Sequence, residues 1–184
     1  MLINKKPLHP NFGVIIEDID LNQVSHNFLY KEIRELFENY SVILFKNQKI
    51  SDDTHINFAK LFGQLENREA MATNSDVEFE LSLVTNQKED KSVYDEYDIK
   101  TLDLKANMLW HTDSTFLPIP ALANIITAKI IPSSGGQTEL ASTRVALKKL
   151  PKDLYYNIKD KKIWHNLSHS RKQINNQLAK ESYI

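Results

Sequence analysis

Two residues that can bind a metal ion, His111 and Asp113, stand two positions apart in the segment 107–116. In a β-strand, residues i and i+2 point to the same face, so an imidazole nitrogen and a carboxylate oxygen can converge on one ion. Such a pair is two-thirds of the facial triad that holds non-haem Fe(II) with coordination positions left open. It predicts a metal centre whose third ligand is a distant histidine. Taken alone, the same two residues fit a solvated strand face equally well.

The composition is that of an ordinary globular protein. Hydrophobic residues make up 41% and charged residues 26% of the 184 positions, so we expect one domain over residues 1–184. The formal net charge of −1 gives no electrostatic footprint for nucleic acid or an anionic membrane. No apolar run approaches the roughly 20 residues that span a bilayer, and the N-terminus does not read as a secretory signal. Because cysteine is absent, thiolate chemistry is excluded and a cytoplasmic location is expected.

Hydrophobic periodicity and capping residues predict the elements that position the pair. Helices are expected at 27–40, from Ser51 to Gly63, at 143–150 behind Ser142, and after Pro151. Strands are expected at 12–21, 41–45, 81–85, 122–131 and 163–167. The segment 86–105 is predicted to be a long loop. We expect substrate specificity to depend on this loop, on the segment 66–80 and on a C-terminal part that this chain lacks. This order of elements favours an α+β or mainly β domain.

The residues around the pair resemble those of one enzyme family. The matching blocks are Trp110-His-Thr-Asp-Ser-Thr-Phe116, Gly135-Gly-Gln-Thr-Glu139, and the earlier segments 13–21, 42–48 and 55–63. In this order they are similar to the TauD/TfdA family of Fe(II)- and 2-oxoglutarate-dependent dioxygenases, over most of residues 10–170. The flanking Asn107-Met-Leu and Thr138-Glu-Leu-Ala-Ser are more similar to the TfdA branch, the aryloxyalkanoate dioxygenases, than to the taurine branch.

The resemblance implies a fold, a site and a reaction. The implied fold is a double-stranded β-helix, a jelly-roll barrel with flanking helices. His111 and Asp113 match the first two iron ligands, and Thr138 matches the threonine that contacts a carboxylate of 2-oxoglutarate. Asn107 and Trp110 match residues that border the substrate pocket. The implied reaction consumes O2 and 2-oxoglutarate, releases succinate and CO2, and hydroxylates a small, anionic organic substrate such as a sulfonate or an aryloxyalkanoate.

The chain departs from the family pattern near its end. The family's third ligand is a histidine near the C-terminus, followed by an arginine whose planar fork pairs with the far carboxylate of 2-oxoglutarate. This chain stops 71 residues after Asp113, before either is expected. We therefore expect a truncated domain with an incomplete barrel. This domain should bind Fe(II) weakly. The full-length form is a candidate homo-oligomer. Two alternatives stay open. The chain can be non-catalytic, either as a fragment or as half of a split enzyme that needs a partner chain. It can also be a metal-dependent hydrolase, although the sequence shows no obvious general base near His111.

The remaining histidines carry weaker expectations. His9 and His26 lie in polar segments and are expected at the surface. His55 is expected to be exposed or to make a structural hydrogen bond from its helix. For His165 and His169, a structural role and a substrate-side role are equally open, and a role for His169 as a replacement iron ligand is the least expected.

Overall fold

The computed structural model describes residues 3–66 and 81–181, and the chain divides into two compact units. Their bounds are Met1–Gln64 with Ile125–Lys162, and Leu65–Asn124 with Ile163–Ile184. Each unit is therefore assembled from two stretches that are separated in sequence. Of the predicted specificity segment 66–80, all but the first residue lies outside the described residues.

The first unit contains a three-stranded sheet in the order β1–β2–β3. Its strands are β1 (Lys5–Pro7), β2 (Val14–Ile16) and β3 (Ile43–Phe45). The middle strand β2 pairs antiparallel with β1 and parallel with β3, so that Val14 stands opposite both Pro7 and Ile43. Its β-branched side chains suit a pleated surface. Gly13, just before β2, has a φ of +82°, and a side chain there would come within 3.1 Å of Leu8, so this turn requires glycine.

Two helices follow the strands of this sheet, as predicted. Helix α1 (Tyr30–Tyr40) connects β2 to β3, which is the crossover that parallel strands need. It begins three residues later than expected because Leu29 adopts a left-handed conformation with a φ of 65°. Helix α2 (Asp52–Leu61) begins where predicted, since the Ser51 side chain accepts a hydrogen bond from the Thr54 N–H and caps a free amide.

The core of the first unit lies where the sheet meets these helices. Its buried side chains are Ile16, Ile19, Leu21, Leu29, Ile33, Leu36 and Phe58. The ring of Phe58 packs edge to face against Phe45 and Phe62, with centroid separations of 5.8 Å and 5.5 Å. Aromatic pairs in this arrangement are stabilised beyond the burial of their surface. The ring of Phe58 thus joins α2 to β3 through Phe45.

Two short helices occur later in the same unit, also as predicted. They are α4 (Thr143–Lys149) and α5 (Lys152–Ile158). The Ser142 side chain accepts a hydrogen bond from the Val145 N–H and caps α4, and Pro151 directly precedes α5. A side-chain cap at α4 and a proline directly before α5 are both local signals, which explains why the sequence located these starts.

The second unit is built on three helices among its described residues. They are α3 (Ile99–Ala106), α6 (Leu167–Lys172) and α7 (Asn176–Glu181). Leu178 and Ala179 are buried, as is Ala106 at the end of α3. Arg171 Nε donates to Asp103 Oδ1 at 2.9 Å, which ties α6 to α3.

Several of the helices, strands and loops predicted from the sequence differ from those in the structure. Residues 81–85 and 122–131 are irregular, and 163–167 leads into α6, whose first turn is capped by Asn166. The predicted loop 86–105 contains most of α3, which Asp98 caps. An apolar run becomes a strand only where a neighbour pairs its backbone groups. The ladder in the described part of the chain joins β1, β2 and β3.

The described residues form a small mixed sheet with helices, which confirms the α+β expectation. Helix outweighs strand in them, so they do not form a mainly β domain. The jelly roll is not visible in the described elements. No described helix is both long and apolar enough to cross a bilayer.

An ion pair at the start of α2 contributes to stability in a pH-dependent way. Lys129 Nζ donates to the carboxylate of Asp52, in the first turn of the helix. The hydrogen bond from Lys129, and then its charge, hold the pKa of Asp52 below its ordinary value. Because the folded-state pKa is the lower one, the stabilisation is present above the ordinary aspartate pKa. It is lost as the pH falls through the folded-state pKa.

We expect Asp52→Asn to lower the urea midpoint of unfolding near neutral pH, and this deficit to shrink as the pH falls toward about 3. The effect is small, because the Asp52 side chain is 62% exposed and salt screens such pairs. Asp53→Asn is the matched control, since it removes a charge from the same helical turn and leaves the Lys129 contact intact. A deficit of equal size at both pH values would contradict the proposed contribution of the pair.

Candidate metal centre

His111 and Asp113 lie in an irregular segment after α3, so the strand geometry that would place both side chains on one face does not apply there. The chain turns directly after the pair: Ser114 has a left-handed φ of 60°, and its carbonyl accepts a hydrogen bond from the Leu117 N–H at 3.0 Å. The two side chains nevertheless converge, with His111 Nε2 lying 3.1 Å from Asp113 Oδ1. Both side chains are about half exposed, so a cation can reach them from solvent.

The second ring nitrogen of His111 is held by the backbone. Its Nδ1 lies 2.6 Å from the carbonyl oxygen of Leu109. Since a carbonyl only accepts, this hydrogen bond requires the proton on Nδ1. With the proton on Nδ1, the other ring nitrogen, Nε2, is the atom that faces Asp113 and the one that a metal ion would bind. Metal-bound histidines characteristically donate their second ring N–H to a backbone carbonyl or a carboxylate in this way.

Asn124 holds the second oxygen of the Asp113 carboxylate. Its side-chain amide Nδ2 donates to Asp113 Oδ2, while Oδ1 faces the imidazole of His111. Sequence reasoning missed this residue. The two positions are eleven apart and belong to no short motif, so only the folded chain reveals the contact.

The donor set fits a divalent transition metal. A neutral imidazole nitrogen and a carboxylate oxygen suit ions such as Fe(II) and Mn(II). With metal–ligand bonds of roughly 2.1 Å, adjacent ligands of an octahedron lie about 3.0 Å apart, close to the separation of His111 Nε2 and Asp113 Oδ1. Across residues 3–66 and 81–181, no third histidine or acidic side chain joins the pair in a metal-binding group.

The comparisons with known proteins decide the family. The family described as taurine catabolism dioxygenase TauD, TfdA family, matches residues 4–183. The chain belongs to this TauD/TfdA family. Its relatives include an alpha-ketoglutarate-dependent 2,4-dichlorophenoxyacetate dioxygenase of Cupriavidus pinatubonensis, 33% identical over 174 residues, and an (S)-phenoxypropionate/alpha-ketoglutarate-dioxygenase of Sphingobium herbicidovorans, 29% identical over 173 residues. These relatives confirm the similarity to the TfdA branch.

Similarity to a solved structure agrees with this membership. The crystal structure of AAD-2 in complex with Mn(II) and N-oxalylglycine is 26% identical, with a TM-score of 0.82 over 96% of this chain. The two relatives above are matched over 93% of this chain. The TauD/TfdA chain described here spans 61% and 56% of the length of those relatives, and 62% of AAD-2.

Within the described residues, the hydrogen bonds of the pair do not involve the other site residues predicted from the TauD/TfdA resemblance. Asn107 ends α3, where its backbone N–H bonds to the carbonyl of Leu104. Trp110 precedes His111 and is 69% exposed. Thr138 is exposed and lies in the first unit, whereas His111 and Asp113 lie in the second.

Of the remaining histidines of this family member, His55 makes a structural contact, and the roles left open for His165 and His169 stay predictions. His55 is 9% exposed, with Nε2 lying 3.0 Å from the Ile125 carbonyl and Nδ1 lying 3.3 Å from Thr127 Oγ1. That outcome matches the expected structural hydrogen bond. His165 Nδ1 lies 3.1 Å from the hydroxyl of Thr115, in the turn after Asp113. His169 is on α6, where its backbone N–H bonds to the Asn166 side chain.

Proposed function

We propose that this protein is an Fe(II)- and 2-oxoglutarate-dependent dioxygenase of the TfdA type. The observation that carries the proposal is the 3.1 Å approach of His111 Nε2 to Asp113 Oδ1 in a TauD/TfdA chain. The activities for which the relatives are named support it. In the proposed reaction, 2-oxoglutarate, O2 and a substrate C–H bond give succinate, CO2 and a C–OH group. One oxygen atom of O2 enters succinate and the other enters the alcohol.

The proposal gives each residue of the site a role. His111 and Asp113 hold the iron, and the Leu109 carbonyl fixes the tautomer and orientation of the His111 ring. When bound, the iron supplies the oxygen-activating redox chemistry that side chains lack. Thr138 donates its hydroxyl to a carboxylate of 2-oxoglutarate. N-oxalylglycine, which is bound with Mn(II) in AAD-2, carries the same two carboxylates and keto group as 2-oxoglutarate and supports this cosubstrate.

The substrate is proposed to be a small organic anion. Relatives are named for aryloxyalkanoates, and an alpha-ketoglutarate-dependent sulfate ester dioxygenase of Pseudomonas putida is 26% identical over 149 residues. Carboxylates and sulfate esters share a compact negative group attached to an apolar body. We propose that Asn107 and Trp110 border the pocket for that body. An exposed indole offers the large apolar surface that aromatic substrates favour.

The fold is proposed to be the double-stranded β-helix that the family resemblance implies. The TM-score of 0.82 to AAD-2 supports this architecture.

A turnover assay tests the proposed function. The purified chain is supplied with Fe(II), O2 and 2-oxoglutarate, with 2,4-dichlorophenoxyacetate, (S)-phenoxypropionate or an alkyl sulfate ester as the substrate. We expect succinate to form only when Fe(II) is present, and faster with at least one of these anions than without it. Reactions with Mg²⁺ in place of Fe(II) are the control, since Mg²⁺ is not redox active. Succinate formation that does not depend on Fe(II), or none with any of these anions, would contradict the proposal.

A further inference from the structure

We propose that Asn124 is a positioning residue that holds the Asp113 carboxylate in its metal-binding orientation. The inference rests on the proposed function, because it concerns how one ligand of that site is oriented. The observation is the hydrogen bond from Asn124 Nδ2 to Asp113 Oδ2. The other carboxylate oxygen, Oδ1, is the one that lies 3.1 Å from His111 Nε2.

This hydrogen bond decides which carboxylate oxygen faces His111. The terminal torsion of an aspartate is broad and two-fold, so a free carboxylate rotates easily. The Asp113 side chain is 51% exposed, and solvent alone does little to restrict it. A donor fixed on Oδ2 leaves Oδ1 directed at Nε2. The Asp113 carboxylate therefore has its metal-binding orientation before a metal ion binds, and binding does not have to restrict its rotation.

The chemistry of an amide suits this position better than that of a charged donor. Asn124 donates an N–H without bringing a positive charge beside a cation site. A lysine or arginine would bind the carboxylate more strongly, but would repel the metal and compete with it for Asp113. Each ligand of the pair therefore has one neutral hydrogen-bonding partner. The Leu109 carbonyl contacts Nδ1 of His111, and the Asn124 amide contacts Oδ2 of Asp113. In both cases the contacted atom is the one that faces away from the other ligand.

The test is a titration of the 184-residue chain with Mn(II) alone, followed by electron paramagnetic resonance. Asn124→Leu keeps a similar volume and removes the donor, and we expect it to raise the Kd for Mn(II) about tenfold, as loss of a ligand's hydrogen-bonding partner commonly does. Asn124→Gln keeps an amide donor and should restore most of the affinity. Asn27→Leu makes the same chemical change at another exposed asparagine and should leave the Kd unchanged.

Two further measurements separate positioning from a structural role and from failure of the site itself. The unfolding midpoint should be the same for Asn124→Leu and the wild type, while the line shape of bound Mn(II) should broaden, because a freely rotating carboxylate gives a mixture of ligand geometries. If His111→Ala abolishes binding and Asn124→Leu leaves the Kd and the line shape unchanged, the role of Asn124 is wrong and the metal site stands. If the wild type does not bind Mn(II), or His111→Ala binds it equally well, the proposed site fails, and this inference with it.

Discussion

Replacement of His111 by alanine is expected to weaken Mn(II) binding more than about a hundredfold and to abolish Fe(II)-dependent succinate formation. Removing a partner of a metal ligand already costs about 10- to 100-fold in affinity, and removing the ligand itself costs more. In the variant, Asp113 remains as a single, half-exposed carboxylate. Such a group does not hold a divalent cation against solvent water. Titration with Mn(II) and the succinate assay measure the two effects independently.

His9→Ala is the matched control for this substitution. His9 is an exposed histidine of the first unit whose ring nitrogen accepts a hydrogen bond from the Asn11 N–H at 3.2 Å. We expect this variant to bind Mn(II) and to form succinate as the wild type does. Unfolding midpoints should match in all three chains, because neither histidine is part of the core. Equal Mn(II) affinity in His111→Ala and the wild type would show that His111 is not a ligand.

Replacement of Phe58 by alanine is expected to lower the free energy of unfolding by about 3–5 kcal/mol. Phe58 is 4% exposed, and its ring contacts both Phe45 and Phe62. Truncation removes this buried surface and leaves a cavity that the sheet and helix cannot readily fill. Since domains of this size are stable by only about 5–15 kcal/mol, the variant should approach the limit of folding. Urea denaturation followed by circular dichroism measures the loss.

Phe28→Ala removes the same atoms from a ring that is 47% exposed. Its expected cost is below about 1 kcal/mol, because about half of that surface already contacts water and truncation there opens no closed cavity. The difference between the two variants therefore isolates the contribution of burial. Comparable losses in both would mean that Phe58 does not lie in the core.

The elements that the sequence located correctly are those whose starts depend on local chemistry. Ser51 and Ser142 each accept a hydrogen bond from a backbone N–H three residues later, and a cap of this kind is visible in the sequence itself. Strand formation depends on a partner whose position the run itself does not reveal. The apolar segment 122–131 has the composition of a strand, but its neighbours in the described residues do not pair with it. The segment 163–167 likewise leads into a helix.

The candidate site shows the same distinction. The spacing of His111 and Asp113 and the motif around them indicated a ligand pair, and their atoms do approach within 3.1 Å. Strand geometry does not explain that approach, since the pair lies in an irregular segment that turns at Ser114. Asn124 could not be predicted, because its amide reaches Asp113 only after the chain has folded. The roles of Thr138, Asn107 and Trp110 come from the family resemblance and remain predictions.

Because each unit is assembled from two separated stretches, the chain crosses from one unit to the other at residues 64–65, 124–125 and 162–163. No single cut therefore releases an intact unit. His55 illustrates the dependence, since its ring partners, Ile125 and Thr127, follow it by 70 and 72 residues. A peptide that ends before residue 125 keeps the imidazole and loses both partners, and an unpaired buried polar group costs about 1–3 kcal/mol. The hydrophobic core of the first unit lies within its first stretch, whereas the contacts of the His55 ring need both stretches.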